Sequence, residues 1–436
     1  MSLVMDKPVV IPAQLEGEFQ TLLAKAFASE PEWLKGRREK AFANFSKMGI
    51  PNRKDEEYKY TDVKKIFSKK FTAVHHEPQD LKFTIDKIAV SKDSLKLVFV
   101  NGWLYRNSTL RSSIPEGVII GNMAADLFSN KELVKKRLSE NGSVFSEMNS
   151  ALWTDGALIY IPSGWKMQHL IEIINIYTGN KELLVSPRHL IIADANAEVS
   201  IVEQHISNDT KNSIVNAATD VFVGENARVQ FYRVQNECRN VQMITSIHAI
   251  QEKNSHFDTN TISLGNDFVR NNLSIALNGE NCETHLNGLF VTKGNEFIDN
   301  HTAVRHNKPN CQSNQLYKGI LDEKSTGIFN GKIFVERDAQ KTNAYQSSKN
   351  ILLSDDATIN TKPELEIYAD DVKCSHGSST GKVDEDALFY LRTRGLGEDS
   401  ARRLLLSAFA NDVLETIRIE SLKNYLEELV DQRLQK

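Results

Sequence analysis

The sequence is poor in the features that would fix a function quickly. Only four cysteines, Cys238, Cys282, Cys311 and Cys374, occur in 436 residues, and none stands in CxxC spacing. That excludes a self-contained cysteine zinc site and a disulfide framework, and it favours a reducing, cytoplasmic compartment. No apolar run approaches the ~20 residues that span a bilayer. Asp6 and Pro8 interrupt the amino terminus, where a signal peptide would be continuously apolar. Neither sign of charge dominates: 53 Lys and Arg stand against 57 Asp and Glu. A net charge of -4 offers no broad surface for nucleic acid or a membrane. HExxH, His-x-His and GxxxxGKS/T are missing, so no metalloprotease helix or phosphate loop is encoded.

What is there falls into three zones, and the length suffices for two or three domains with a large core. Residues 1–150 are helical and then mixed. Leu15, Phe19, Leu22, Leu23 and Ala26 share a helical face, Ser29-Glu-Pro31 breaks the pattern, and Trp33 to Phe45 resumes it. A short strand at Leu97 to Val100 and a helix near Lys131 to Leu138 follow. Residues 151–382 alternate in short runs rich in Val, Ile, Thr and Phe, with turns of Asn, Asp and Gly. Residues 383–436 return to helical spacing: Leu388, Phe389 and Leu391 precede a break at Arg394-Gly395-Leu-Gly397. Leu404, Leu405, Ala408 and Val413, then Leu422, Leu426, Leu429 and Val430, continue it. About fifty residues bury little area alone, so this module must dock on the β body or on a partner.

The middle zone carries a recurring token: Asp194-Ala-Asn-Ala-Glu-Val199, Gly224-Glu-Asn-Ala-Arg-Val229, Glu252-Lys-Asn-Ser-His-Phe257 and Gly279-Glu-Asn-Cys-Glu-Thr284. Its fourth positions, 197, 227, 255 and 282, recur every 27 to 30 residues. Variants at Arg337–Thr342 and Ser354–Ile359 come closer together. A small residue inside a turn, then a strand, at near-constant interval suits the stacked rungs of a solenoid. A β-sandwich, whose turns favour the same residues, satisfies the spacing as well.

Among candidate sites, Cys374-Ser-His376-Gly stands out. Residues i and i+2 of a strand share a face, so Cys374 and His376 can present sulfur and nitrogen to one soft or borderline metal or to an iron–sulfur cluster. Two ligands do not close a four-coordinate site; the rest must come from elsewhere or from a second chain. The other histidines read as hydrogen-bonded imidazoles. His75-His76 point apart in extended chain, and His301 and His306 are out of phase. Cys282, in the small slot of the token, reads as a buried small residue. A solenoid could also be a polysaccharide-active enzyme, but this needs convergent carboxylates. Asp370 and Asp371 face opposite sides of a strand, and nothing in the spacing brings Asp299 to Asp338.

The stretch Asn360-Thr-Lys-Pro363-Glu-Leu-Glu-Ile-Tyr-Ala-Asp370-Asp371-Val-Lys-Cys374-Ser-His376-Gly377 closely resembles the signature of the SufB/SufD family of iron–sulfur cluster assembly proteins. The likeness extends to Leu316-Tyr-Lys-Gly-Ile320, Gly331-Lys-Ile-Phe334, Gln346-Ser-Ser-Lys-Asn350, Val383-Asp-Glu-Asp-Ala-Leu-Phe-Tyr-Leu391 and Arg394-Gly395. It also covers Glu57-Tyr58-Lys-Tyr60-Thr61, where Tyr58 replaces a more usual Trp. The resemblance is to the SufD side of the family, since SufB carries a His-Glu-Ala pattern at the corresponding place. It implies a mainly β protein, with a right-handed parallel β-helix core flanked by amino- and carboxy-terminal helical regions. It further implies a non-catalytic scaffold that pairs with a SufB-like paralogue, or with itself when isolated, and docks a SufC-like ABC ATPase on its terminal helices. His376 would be a ligand of a transient iron–sulfur cluster shared with a partner cysteine, and Cys374 a weaker one. ATP would bind only the partner ATPase, and FAD belongs to the whole complex, with no motif here to hold it.

Overall fold

The computed structural model describes residues 12–74, 85, 88–105, 114–138 and 142–435; the expectations for the first eight residues and for His75-His76 lie outside these. The chain is mainly β, a parallel β-solenoid of about eight turns with helices at both ends of the sequence. Spacing alone had left solenoid and sandwich open, and the pairing is a solenoid's. From Arg188–Ala193 onward, successive strands alternate between two sheets, each pairing in parallel with the next but one in sequence. One sheet (sheet A) runs from Ile119–Asn122 to Thr358–Ile367, the other (sheet B) from Trp103–Leu104 to Val372–Gly381.

The turn token is the corner of every rung. Ala197, Ala227, Ser255, Cys282 and Cys311 form one buried column, because each precedes strands held in register (Glu198, Arg228, His256, Glu283 and Gln312 align). The asparagine before each slot is left-handed, with φ from 56° to 60° at Asn196, Asn226, Asn254, Asn281 and Asn310. Asparagine tolerates that conformation better than other residues with a Cβ. Their side chains bond up the stack: Asn226 Nδ2 donates to Asn196 at 3.3 Å, Asn254 to Asn226 at 3.0 Å and Asn281 to Asn254 at 2.9 Å. The two irregular tokens now have a cause. The corner from Val335 to Asn343 is two residues longer than that from His306 to Gln312, so Thr342 rather than Gln340 fills the slot. Ser354–Ile359 leads into sheet A, at the opposite corner.

The amino-terminal helices Ala13–Ala24 and Glu32–Met48 separate at Pro31, as their spacing predicts. Leu15, Phe19 and Leu22 pack with Phe42 and Phe45, Phe19 stacking on Phe42 at 4.1 Å. Through the helix Val144–Leu152 this layer rests on the outer face of sheet A at Ile214 and Ile244. The carboxy-terminal helices Glu398–Leu414 and Glu420–Leu434 cover the outer face of sheet B, where Leu406, Ala410, Val413, Leu422 and Leu426 meet Val202, Val234, Ile262, Leu289 and Ile320. Full burial of such a side chain contributes about 1.5–3 kcal/mol. Polar ties span the rungs: Asn260 Nδ2 donates to Thr416 at 2.7 Å, and the buried Lys318 ammonium bonds to the Phe409 carbonyl at 2.8 Å and to Asp412. The preceding helix, Glu385–Thr393, is capped by Asp384 but buries only Leu388; Phe389 and Tyr390 are 68% and 56% exposed.

Candidate functional site

The last rung differs from those before it. Thr358–Ile367 is mostly half-buried and Val372–Gly381 mostly exposed, whereas the strands beneath them bury alternate residues or more. Among the described residues no strand pairs with the far edge of either. Cys374 and His376 sit on this edge strand, two apart and on one face, as the sequence spacing requires. Below them in register are Ala344 and Gln346. Burial pushes the half-buried Cys374 thiol up, against an opposing hydrogen bond with the Ala344 backbone, so sulfur is held as the thiol. His376 is exposed. Among the described residues no group of three or more His, Cys, Asp or Glu converges as a metal site.

The register shows where His376 belongs in the interior. Its column reads Ile171, Ile201, Phe231, Thr259, Leu286, Gln315, Gln346, His376. Below His376 it is apolar except for Thr259, and the two rungs directly beneath His376 carry amides. The adjacent column, after Leu97 and Ile173, carries a buried charge network that no sequence motif announces. Glu203 accepts from Arg233 Nη2 at 2.8 Å, bonds His205 Nε2 at 2.8 Å and lies 3.8 Å from His189. Burial pushes the Glu203 carboxyl up, but Arg233, His205 and His189 together outweigh it and hold it well below the carboxylate range. Burial brings His189 down to about 4. The signal for this network was the inward alternation Val199, Ile201, Glu203, His205, which becomes visible only once the strand is known.

The other carboxylates are not arranged for glycoside chemistry. Asp299 is buried, accepting from Arg270 Nη1 at 2.6 Å and from Thr61 Oγ1 at 2.6 Å. Burial raises its pKa, and His301 with Arg270 more than reverses this, to about 2. The same guanidinium donates to the Glu57 carbonyl at 2.9 Å and lies 4.0 Å over the Tyr58 ring. The Glu57–Thr61 motif is therefore the clasp that ties the amino-terminal region to sheet A, and Tyr58 supplies the aromatic face. Asp338 lies in a corner turn, and Asp370 and Asp371 are exposed at the last one. His301 and His306 take opposite faces, the first half-buried outside and the second buried within, as their odd spacing predicts. Cys282 is fully buried, its sulfur 3.2 Å from the Gly279 carbonyl, with the Cys311 sulfur 3.3 Å from the same oxygen.

Exposed large apolar side chains among the described residues include Tyr345, Ile367 and Tyr368 in the last two rungs, and Phe389, Tyr390, Leu396 and Leu404 in the carboxy-terminal module. No described helix is long and apolar enough to cross a membrane.

Fold and site together define a parallel β-solenoid protein whose Cys374–His376 pair lies on the exposed last rung. Comparison with known proteins gives that class a family. The model described as "SUF system FeS cluster assembly, SufBD core domain" matches residues 176–409, and that for the "SufBD protein N-terminal region" matches residues 13–173. The chain is 30% identical to an iron–sulfur cluster assembly SufBD family protein of Synechocystis sp., over 96% of each chain. It is also 30% identical to the iron–sulfur cluster assembly protein SufD of Escherichia coli (89% of this chain, 90% of the relative) and to the chloroplastic protein ABCI7 of Arabidopsis thaliana (84% and 78%). The chain belongs to the SufBD family of the SUF system, and its role lies in iron–sulfur cluster assembly.

Proposed function

We propose that this chain is a non-catalytic scaffold subunit that completes its cluster site only when a SufB-like paralogue covers the last rung. One observation carries this reading: among the described residues, the ten-residue strands left without an outer neighbour are those of the rung bearing Cys374 and His376. Unpaired edges invite strand pairing, and the exposed Tyr345, Ile367 and Tyr368 add apolar area for a partner. His376 then offers an imidazole to the nascent cluster, which is cargo, and partner thiolates offer the remaining soft ligands. Cys374, protonated in the free chain, is the secondary donor. Without the paralogue a second copy of this chain takes the same edge, giving a homodimer.

The exposed Phe389, Tyr390 and Leu404 form the docking face for a SufC-like ABC ATPase. The helices behind that face lie across sheet B, so movement of the ATPase reaches the solenoid through Lys318 and Asn260. ATP is bound by that partner, and any flavin belongs to the assembled complex.

The test is co-expression with both partners, then anaerobic iron and sulfide analysis. The reading expects a three-component complex that holds cluster, with cluster lost and complex intact in His376→Ala. Loss of the paralogue in that variant would instead make His376 a seal of the interface. Unchanged cluster content would remove it from the ligand set.

A further inference from the structure

We propose that Gln346 is the positioning residue for His376, its side-chain amide accepting one imidazole N–H so that the other ring nitrogen faces the open edge. This rests on the reading of His376 as a cluster ligand. Gln346 is 3% exposed, yet among the described residues neither its Oε1 nor its Nε2 has a hydrogen-bond partner. Burying an amide unpaired is unfavourable, so a partner is expected within reach. The solenoid supplies one: His376 is its register neighbour on the next rung. In-register side chains of parallel strands point the same way, about 4.8 Å apart, a span that an amide and an imidazole bridge by rotamer choice.

The rest of the column argues that the amide is there for a purpose. The strands beneath fill the same line with Ile171, Ile201, Phe231 and Leu286, so an apolar residue fits this bore. Thr259 interrupts that apolar line once, and side-chain amides enter it only in its last two buried rungs. Gln315 satisfies its Nε2 by donating to Thr302 at 2.5 Å, across to the other sheet. Gln346 has no such companion. A Cβ built on Gly331 would stand only 3.0 Å from Gln346 Nε2, so that glycine leaves room for the amide inside the bore. Above Gly331 the register places Pro363, which has no N–H to give. The direction left for the carboxamide is upward, toward His376.

A histidine ligand ordinarily donates its second N–H to a protein oxygen, which fixes the tautomer and aims the ligating lone pair. Gln346 Oε1 meets that need with a neutral acceptor. No charge is added to the open edge, and the imidazole stays poised until the partner arrives.

The test reads the imidazole directly on the full-length chain, without cluster. Nitrogen-15 histidine NMR at a fixed pH where the ring is neutral gives the tautomer ratio of His376, assigned by its disappearance in His376→Asn. In the native chain one tautomer dominates. In Gln346→Leu the ratio falls toward that of free imidazole, by about three- to tenfold for loss of one hydrogen bond. Gln346→Glu, which keeps an acceptor oxygen at the same reach, restores the preference. A space-filling role predicts the reverse pattern, with Leu tolerated and Glu harmful to folding. An unchanged ratio in folded Gln346→Leu overturns the proposal, as does a native ratio equal to that of free imidazole. Cluster content of the reconstituted complex separates the two readings. If Gln346→Leu shifts the tautomer while His376→Ala assembles cluster normally, the positioning stands and the ligand role falls.

Discussion

The two ends of the solenoid solve the same problem in opposite ways. At the first end the sheets finish in short antiparallel strands, Trp103–Leu104 against Leu95–Val100 and Ile119–Asn122 against Ala157–Ile161. Edges of two and four residues offer little template for pairing. At the last end two parallel strands of ten residues each stop bare. A stacked repeat needs a cap at each terminus, and among the described residues no strand covers the last rung. The difference separates residues that hold the body together from those left exposed at the last rung, and each can be altered without the other.

The comparison breaks most severely in acid. His189, His248 and His306 all lie in covered rungs, and burial holds each near about 4 against an ordinary 6.5. The unfolded chain takes up their protons first, so stability is full above pH 6.5 and falls as pH drops toward about 4. Asp299, held near about 2, extends the loss below its ordinary 3.8. Urea midpoints measured from pH 7 to 4 should decline throughout; a flat profile would show that these imidazoles are solvated. Next is Arg233→Met, which strands Glu203 in the bore and is expected to remove about 3–5 kcal/mol, read by the same unfolding curve.

Substitutions at the bare end should spare the body and strike the partner. Ile367→Asp with Tyr368→Asp should lower capture of the paralogue by about tenfold or more, equivalent to roughly 1.4 kcal/mol. The melting of the isolated chain should hardly move. Smallest on the stability scale is His376→Ala, about 1 kcal/mol for its bond to Gln346, although cluster content should drop sharply. A large destabilisation there would mean that the last rung is part of the body after all.

Much of this division was legible in the sequence. The Asn-small token marked the corners because a left-handed turn needs asparagine and a crowded one needs Ala, Ser or Cys. Cys374 and His376 share a face by parity alone. The helical module announced its face through Leu422, Leu426 and Val430, all buried on sheet B. The Glu203–Arg233 network escaped because it joins different rungs, and one-dimensional spacing does not say which charged residue meets which. Gln346 escaped for a related reason. Its meaning comes from what stands above and below it, and those neighbours are about thirty residues away in the chain.

The asparagine corner sets a scale for the whole assembly. Each rung advances the axis by about 4.8 Å, and the left-handed turns with their side-chain ladder keep the strands in register, so distance along this molecule comes in whole rungs. The carboxy-terminal helices are moored across intermediate rungs, at Asn260 and Lys318, while His376 stands on the last. The separation between the helix mooring and His376 is therefore a small integer multiple of one step. Lengthening a corner, as the two extra residues before Asn343 do, leaves that integer alone. Inserting or deleting a whole repeat would change it, placing the imidazole one step out of gauge with a partner built to the same ruler.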